Sequence, residues 1–110
     1  WYLPYAEYCV KNGIVQAGQF TAYDAPITRG DMAIIFAGIL PERVYAAVVP
    51  GAPADVTADM ACRAAVQKLF AAGIVGGDAG TGKYRPGDSI RRSEACVIFT
   101  RIAAAEYRIK

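Results

Sequence analysis

The chain has 110 residues, 55% hydrophobic, 20% charged and 11% aromatic, the make-up of one globular domain with its own core rather than a disordered tail or a fibre. Twelve Lys and Arg against ten Asp and Glu leave a formal charge of +2, too little for phosphate-backbone binding, so nucleic acid is not an expected partner. Histidine is absent, which removes the usual general base, the commonest metal ligand and the physiological pH switch, and with them most familiar hydrolase chemistry.

In chain order, Tyr2, Tyr5, Ala6, Cys9 and Val10 recur at the spacing of one helical face, and Asn12-Gly13 closes this first helix. A Gly-rich turn, Gly18-Gln19-Phe20, follows. Ile27-Thr28-Arg29-Gly30-Asp31 then opens a second helix whose apolar positions are Met32, Ile35, Phe36 and Ile39, with Thr28 and Asp31 in the form of a capping box. The longest apolar run, Ala33 to Leu40, falls far short of the roughly 20 residues a bilayer span requires, so no membrane span is expected. From Pro41 to Val56 the chain carries Pro41, Pro50, Gly51 and Pro53 and reads as an extended connector. A third helix bears Cys62, Ala65, Val66, Leu69 and Phe70, with Asp59 as its candidate cap, and ends at Ala72-Gly73. The turn Gly82-Lys83-Tyr84 leads to Ile90-Arg91-Arg92-Ser93-Glu94, which opens a fourth helix through Ala95, Ile98, Phe99 and Ile102, capped from Asp88 or Ser89. The start at Trp1 without a methionine reads as a processed piece of a longer chain.

These elements repeat. Asn12-Gly13-Ile14-Val15 is echoed by Ala72-Gly73-Ile74-Val75, and the same offset carries the apolar face of the first helix onto that of the third. The segment opened by Ile27 is matched by the one opened by Ile90. Each unit therefore reads helix, loop, helix, and a single such pair cannot bury its own apolar face, so two copies must share a core.

Two motif-like stretches are dismissed on context. Gly77 to Lys83 satisfies G-x-x-x-x-G-K, but Tyr84 and Pro86 follow where a phosphate loop needs Ser or Thr and a helix. Read as a calcium loop, the same stretch would need an acid where Ser89 stands. A hairpin-like turn that returns Tyr84 to the helices accounts for it better. Cys9, Cys62 and Cys96 form no CxxC pair; Cys9 and Cys62 lie on apolar faces and Cys96 matches Ala33, so all three read as small buried hydrophobes, with any disulfide left open.

Taken together, Trp1-Tyr2-Leu3-Pro4-Tyr5, Asn12 to Val15, Gly18-Gln19-Phe20 and Ile27 to Asp31, followed by Asp55-Val56, Ala72 to Val75, the Gly77 to Tyr84 loop and Ile90 to Glu94, resemble the S-layer homology module. The resemblance implies an all-α fold of helix-loop-helix repeats, packed as part of a pseudo-threefold bundle with short extended connector segments. It divides the chain into a repeat over 1–43 lacking its Asp-Val start, a connector over 44–53 and a second repeat over 54–110. About one and three-quarter repeats are present of the family's three, so the bundle cannot close within the chain. Self-association or a missing third repeat is expected to cover the open face.

The implied function is non-enzymatic: anchoring an exported protein at the surface of a bacterium, in a Gram-positive wall, by binding anionic and often pyruvylated secondary cell-wall polysaccharide, with no cofactor or metal. The alternative is a structural helical module that docks on another protein domain. The family's binding arginine falls at Arg29 and Arg92. A guanidinium accepts a carboxylate in a planar fork, and a first helical turn adds free N–H groups and the positive end of the helix dipole. Trp1 either stacks on a sugar face or packs as core. Thr28, Asp31, Arg91 and Glu94 fill other motif positions, and Lys83 at the loop tip is a further candidate contact. A glycan hydrolase would need a carboxylate pair in one cleft; Asp31 and Glu94 are the candidates, and each has a simpler capping role.

Overall fold

The computed structural model describes residues 1–47 and 51–109; Pro50 of the expected connector lies outside them. Four helices carry the fold: α1 (Leu3–Lys11), α2 (Arg29–Ala37), α3 (Arg63–Ala71) and α4 (Arg92–Ala103). Two 3-10 turns, Glu42–Tyr45 and Ala105–Tyr107, complete it, and among the described residues there is no strand, only one antiparallel bridge between Thr28 and Ser89. The chain is all-α. The first 3-10 turn corrects the expectation of a wholly extended connector, because it tucks Tyr45 into the core and the phenol donates to the Phe36 carbonyl.

The first helices of the two units start and stop alike. Neither has a side-chain cap; α1 carries Pro4 in its first turn, which its fixed φ and missing N–H suit. Both end on a glycine in the left-handed region, Gly13 at φ +73° and Gly73 at φ +75°. Just beyond, Ile14 N–H donates to the Cys9 carbonyl and Ile74 N–H to the Leu69 carbonyl, which satisfies the open end of each helix. Asp59 does not cap α3. Its carboxylate accepts from the Thr57 hydroxyl in a separate turn, and α3 begins only after Cys62.

The core lies where α2 packs on α3. Met32, Ala33, Phe36 and Ala37 of α2 meet Val66 and Leu69 of α3, closed in by Val56, Ile74, Tyr84 and, from α4, Ile98. Burying a side chain such as Leu69 contributes about 1.5–3 kcal/mol. Gly30 lets the first turn of α2 settle onto the start of α3: a Cβ there would meet the Cys62 Sγ at 3.0 Å and the Pro86 carbonyl at 3.1 Å. At the far end, Arg108 ties the C-terminal segment down, donating to the carbonyls of Arg101 at 2.7 Å and Val44 at 2.8 Å.

The outer helices are less covered. α1 contains no buried residue, and in α4 only Ile98 is buried. Of the cysteines, Cys62 is buried, and burial raises its thiol pKa, while Cys9 is only half-buried and Cys96 is exposed. The reading of Cys96 as a buried hydrophobe is thereby corrected: α4 turns that face outward, away from α3. All three thiols are free.

Candidate functional site

The two helix-opening segments lie side by side. Thr28 and Ser89 form the antiparallel bridge, Ile90 N–H donates to the Ile27 carbonyl, Arg29 N–H to the Asp88 carbonyl at 2.7 Å and Gly30 N–H to the Pro86 carbonyl at 2.9 Å. The repeat thus brings its two arginine motifs to one place, and the loop of the second unit caps the N-terminus of α2. Thr28 accepts from Asp31 N–H at 3.1 Å, the expected cap. On α4 the cap is neither Asp88 nor Ser89. Asp88 is held by Arg85 and Ser89 by the bridge, so the helix starts after Arg91, whose N–H donates to Glu94 Oε1 at 3.1 Å.

The two arginines of the motif differ sharply in surroundings. Arg29 is 6% exposed. Its Nε donates to the Tyr84 carbonyl at 2.6 Å, its guanidinium sits 4.7 Å from the centre of the Tyr84 ring, and its Nη1 is paired with Glu94. Tyr84 answers by donating its hydroxyl to the Arg29 carbonyl at 3.0 Å, and burial pushes that phenol up to about 12 against the opposing effect of the guanidinium. Arg29 is therefore not the free anion-binding fork expected of it, because a buried charge must be paired and Glu94 pairs it. It lines a cavity of about 170 Å³ shared with Asp78, Glu94 and Arg101. Arg91 and Arg92, by contrast, are exposed, and among the described residues neither has an ion-pair partner.

Sequence reasoning missed the group that fixes this arrangement. Asp55 accepts N–H bonds from Tyr84 at 2.9 Å and Arg85 at 2.8 Å. Partial desolvation alone would raise the Asp55 carboxyl, yet the two backbone bonds hold it below the usual carboxylate range. Arg85 stands at φ +60°, a region non-glycine residues rarely occupy, and its side chain is gripped by Asp78 at 2.6 Å and Asp88 at 2.9 Å. Its Nη2 approaches Glu94 at 3.6 Å, so Asp78, Arg85, Glu94 and Arg29 form one alternating chain of charge. Hydrogen bonding from Arg85 depresses the Asp78 carboxyl. The Asp55-Val56 pair was visible as a repeat start; nothing in the first unit matches Arg85, which is replaced there by Thr21.

The remaining expected residues lie apart. Lys83 is exposed at the tip of the loop, where Asp78 N–H donates to its carbonyl at 2.9 Å and returns the chain so that Tyr84 is wholly buried, as a hairpin-like turn requires. Trp1 is 92% exposed and touches Tyr2 edge-on, so it is not core. Asp31 is half-buried, and Asp31 and Glu94 do not form a carboxylate pair: Glu94 is committed to Arg29 and Arg91. Among the described residues no group of three or more potential ligands could hold a metal, and no helix is long and apolar enough to cross a membrane.

Against known families, residues 54–96 match the S-layer homology domain. That span runs from the residue before Asp55 through α3 and the Tyr84 loop to the first turns of α4. No curated protein and no solved structure matches the chain significantly. The match spans 43 of the chain's 110 residues and makes this segment similar to a family of surface-anchoring modules.

Proposed function

We propose that the chain holds an exported protein on a bacterial wall, of Gram-positive type, by binding anionic secondary cell-wall polysaccharide, with pyruvyl ketals as the favoured charged groups. The observation that carries this reading is the N-terminus of α4. Its first turn presents Arg91 and Arg92 to solvent without an acidic partner among the described residues, in the unit that matches the family. The corresponding turn of α2 is closed, since the N–H groups of Arg29 and Gly30 are already bonded to Asp88 and Pro86. An incoming carboxylate at α4 meets a guanidinium fork, unsatisfied backbone donors and the positive end of a twelve-residue helix. Lys83 and Trp1 extend the contact, Trp1 by stacking. Arg29 takes part only where an anion enters the small cavity and competes with Glu94 for it, while Thr28 and Asp31 hold the start of α2. The first unit belongs to the same family of repeats in this reading, and the open face of the bundle is covered by a third repeat or by another copy.

The test is co-sedimentation with purified Gram-positive walls, before and after the secondary polymer is stripped. Binding should require the polymer and fall at least about tenfold in Arg91→Ala/Arg92→Ala, the loss of one or two charge-assisted hydrogen bonds. Equal binding by this variant, with its fold intact by circular dichroism, sinks the assignment. A second reading, docking on a protein domain, is favoured by one observation: Trp1 at 92%, Tyr5 at 69% and Phe99 at 55% exposure are unusual for residues of no binding role. It predicts retention that is indifferent to the polymer and to both arginines.

A further inference from the structure

A second feature lies in the first unit, away from the arginines. The loop between α1 and α2 borders three cavities; two of them, of about 410 and 230 Å³, share Phe20, Tyr23 and Ile35 as a common wall, and a third, of about 410 Å³, joins Phe20 and Tyr23 to Glu7 and Lys11 of α1. Of the first two, the smaller is lined by apolar surface from the N-terminal segment, α1, this loop and Ile35 of α2; the larger opens toward Gln19 and Asp31. Tyr2 and Tyr23 stack with centroids 5.2 Å apart and planes within 15°, and Trp1 meets Tyr2 edge-on at 6.2 Å, so the rim is a short ladder of rings. Tyr23 remains 39% exposed at its edge.

The polar groups are as telling as the rings. Among the described residues Asp31 is the only charged side chain lining either of these two cavities, and no donor is bonded to its carboxylate. It stands in the first turn of α2, where the helix dipole offsets its charge. The Gln19 carbonyl is fixed by Gln16 N–H at 2.9 Å, which leaves its amide N–H groups to donate. Neither of these two cavities is lined by a lysine or arginine among the described residues, so beside Asp31 a carboxylate-bearing sugar is disfavoured. A ring with apolar C–H faces and equatorial hydroxyls, an uncharged hexopyranose, meets both the aromatic wall and the acceptor–donor pair. The larger cavity falls within the size range of small-ligand sites, about 300–1,000 Å³.

We propose that this cleft is a subsite for a neutral pyranose, separate from the anion site at α4. The proposal rests on the carbohydrate-binding reading above but names a different ligand and different residues. The corresponding cavity of the second unit is smaller, about 170 Å³, and differently lined: Tyr84, in the place of Phe20, is wholly buried, and Glu94, in the place of Asp31, is held by Arg29. An extended polymer with charged and uncharged residues would thus be gripped at two points.

The experiment uses matched small probes, methyl β-D-glucopyranoside, methyl N-acetyl-β-D-glucosaminide and methyl β-D-glucuronide, titrated into the isotope-labelled chain and followed by amide shifts. Shifts at Gln19, Tyr23 and Asp31 with either neutral glycoside but not the glucuronide are expected. Tyr23→Ala should weaken neutral binding about tenfold and Asp31→Asn several-fold, whereas Arg92→Ala leaves it unchanged. Tyr23→Phe, which keeps the ring, should retain it and so exclude a general loss of fold. Absence of shifts with both neutral probes, equal binding of the glucuronide, or indifference to Tyr23→Ala overturns the subsite. Because the two neutral probes carry no anion, failure here leaves the wall assay untouched, and failure of the arginine variant there leaves this titration untouched.

Discussion

In α3, Val66 and Leu69 are wholly buried, whereas the matched residues of α1, Ala6 and Cys9, are only half-buried, and Tyr5 and Val10 face solvent where Ala65 and Phe70 are half-covered. The second helices differ in the opposite sense. Met32, Phe36 and Ala37 of α2 are buried, but of the matched run in α4 only Ile98 is, and Phe99 is left 55% exposed against the edge of Phe36. One periodic pattern therefore gives two outcomes. The difference is one of neighbours: α2 and α3 face each other across the unit boundary, while α1 and α4 are the outer helices with one partner fewer. An amphipathic face records what a helix can bury, and the adjoining unit decides whether it does.

The most disruptive way to probe this contrast is to truncate matched positions. Leu69→Ala should destabilise by about 2–5 kcal/mol, since it opens a cavity between α3 and α2. Cys9→Ala, at the equivalent site of α1, should cost under about 1 kcal/mol. Urea denaturation of both variants gives the comparison; equal losses would mean that α1 is as deeply packed as α3.

The arginines sharpen the same point. Arg29→Ala leaves Glu94 and the Tyr84 carbonyl without their partner in a site that is nearly dry, and should cost about 2–4 kcal/mol. Arg92→Ala should change stability by less than about 0.5 kcal/mol, because its side chain is exposed. The pair separates fold from binding: thermal melts register the first substitution, and wall binding registers the second. A melt shifted equally by both would show that the two motif arginines share one role.

Much of this was legible in the sequence, and what was not has separate physical causes. The four helices, the glycine stops after α1 and α3 and the return of Tyr84 follow from local spacing and turn chemistry, which act within a few residues. The partner of Arg29 does not. Glu94 lies in the other unit, and the pairing exists only because the Thr28–Ser89 bridge lays the two motifs together. Asp59 and Asp88 were misassigned as caps for a local reason instead: their carboxylates had competing partners close in sequence, Thr57 in one case and Arg85 in the other, and the second depends on a left-handed residue that no spacing rule anticipates. The aromatic cleft was invisible because Tyr23 lies in a loop without periodicity.

Glycines give a smaller, cleaner contrast. Gly13 and Gly73 share their left-handed φ, so alanine at either carries the strain of that conformation, about 1 kcal/mol. At Gly13 the new Cβ meets nothing within 4 Å, whereas at Gly73 it would stand 2.2 Å from the Ile109 carbonyl, beside the bond from Ile109 N–H to the Gly73 carbonyl. Gly73→Ala should therefore cost clearly more than Gly13→Ala and free the C-terminal segment, which hydrogen exchange at Ile109 would report.

The mildest handle is acid, and it reaches the second unit through two carboxylates. Asp55 and Asp78, both in the second unit, have carboxyl pKa values held below their unfolded ones, Asp55 by backbone N–H bonds that outweigh its desolvation and Asp78 chiefly by Arg85. A depressed pKa means that the unfolded chain takes up protons first as pH falls. The stability these groups contribute is full above the unfolded value, near about 4, and is lost as pH drops through the folded one. Asp55→Asn, whose amide oxygen can replace only one acceptor, should flatten that acid slope and cost about 1–2 kcal/mol at pH 7 while leaving stability near pH 2 almost unchanged. Because Asp55 supports the Tyr84 and Arg85 backbone against which Arg29 is seated, acid should loosen the second unit's loop before α1 responds. Exchange at Tyr84 that rises together with exchange at Cys9 across the same pH range would contradict this order and make the two units a single acid-sensitive whole.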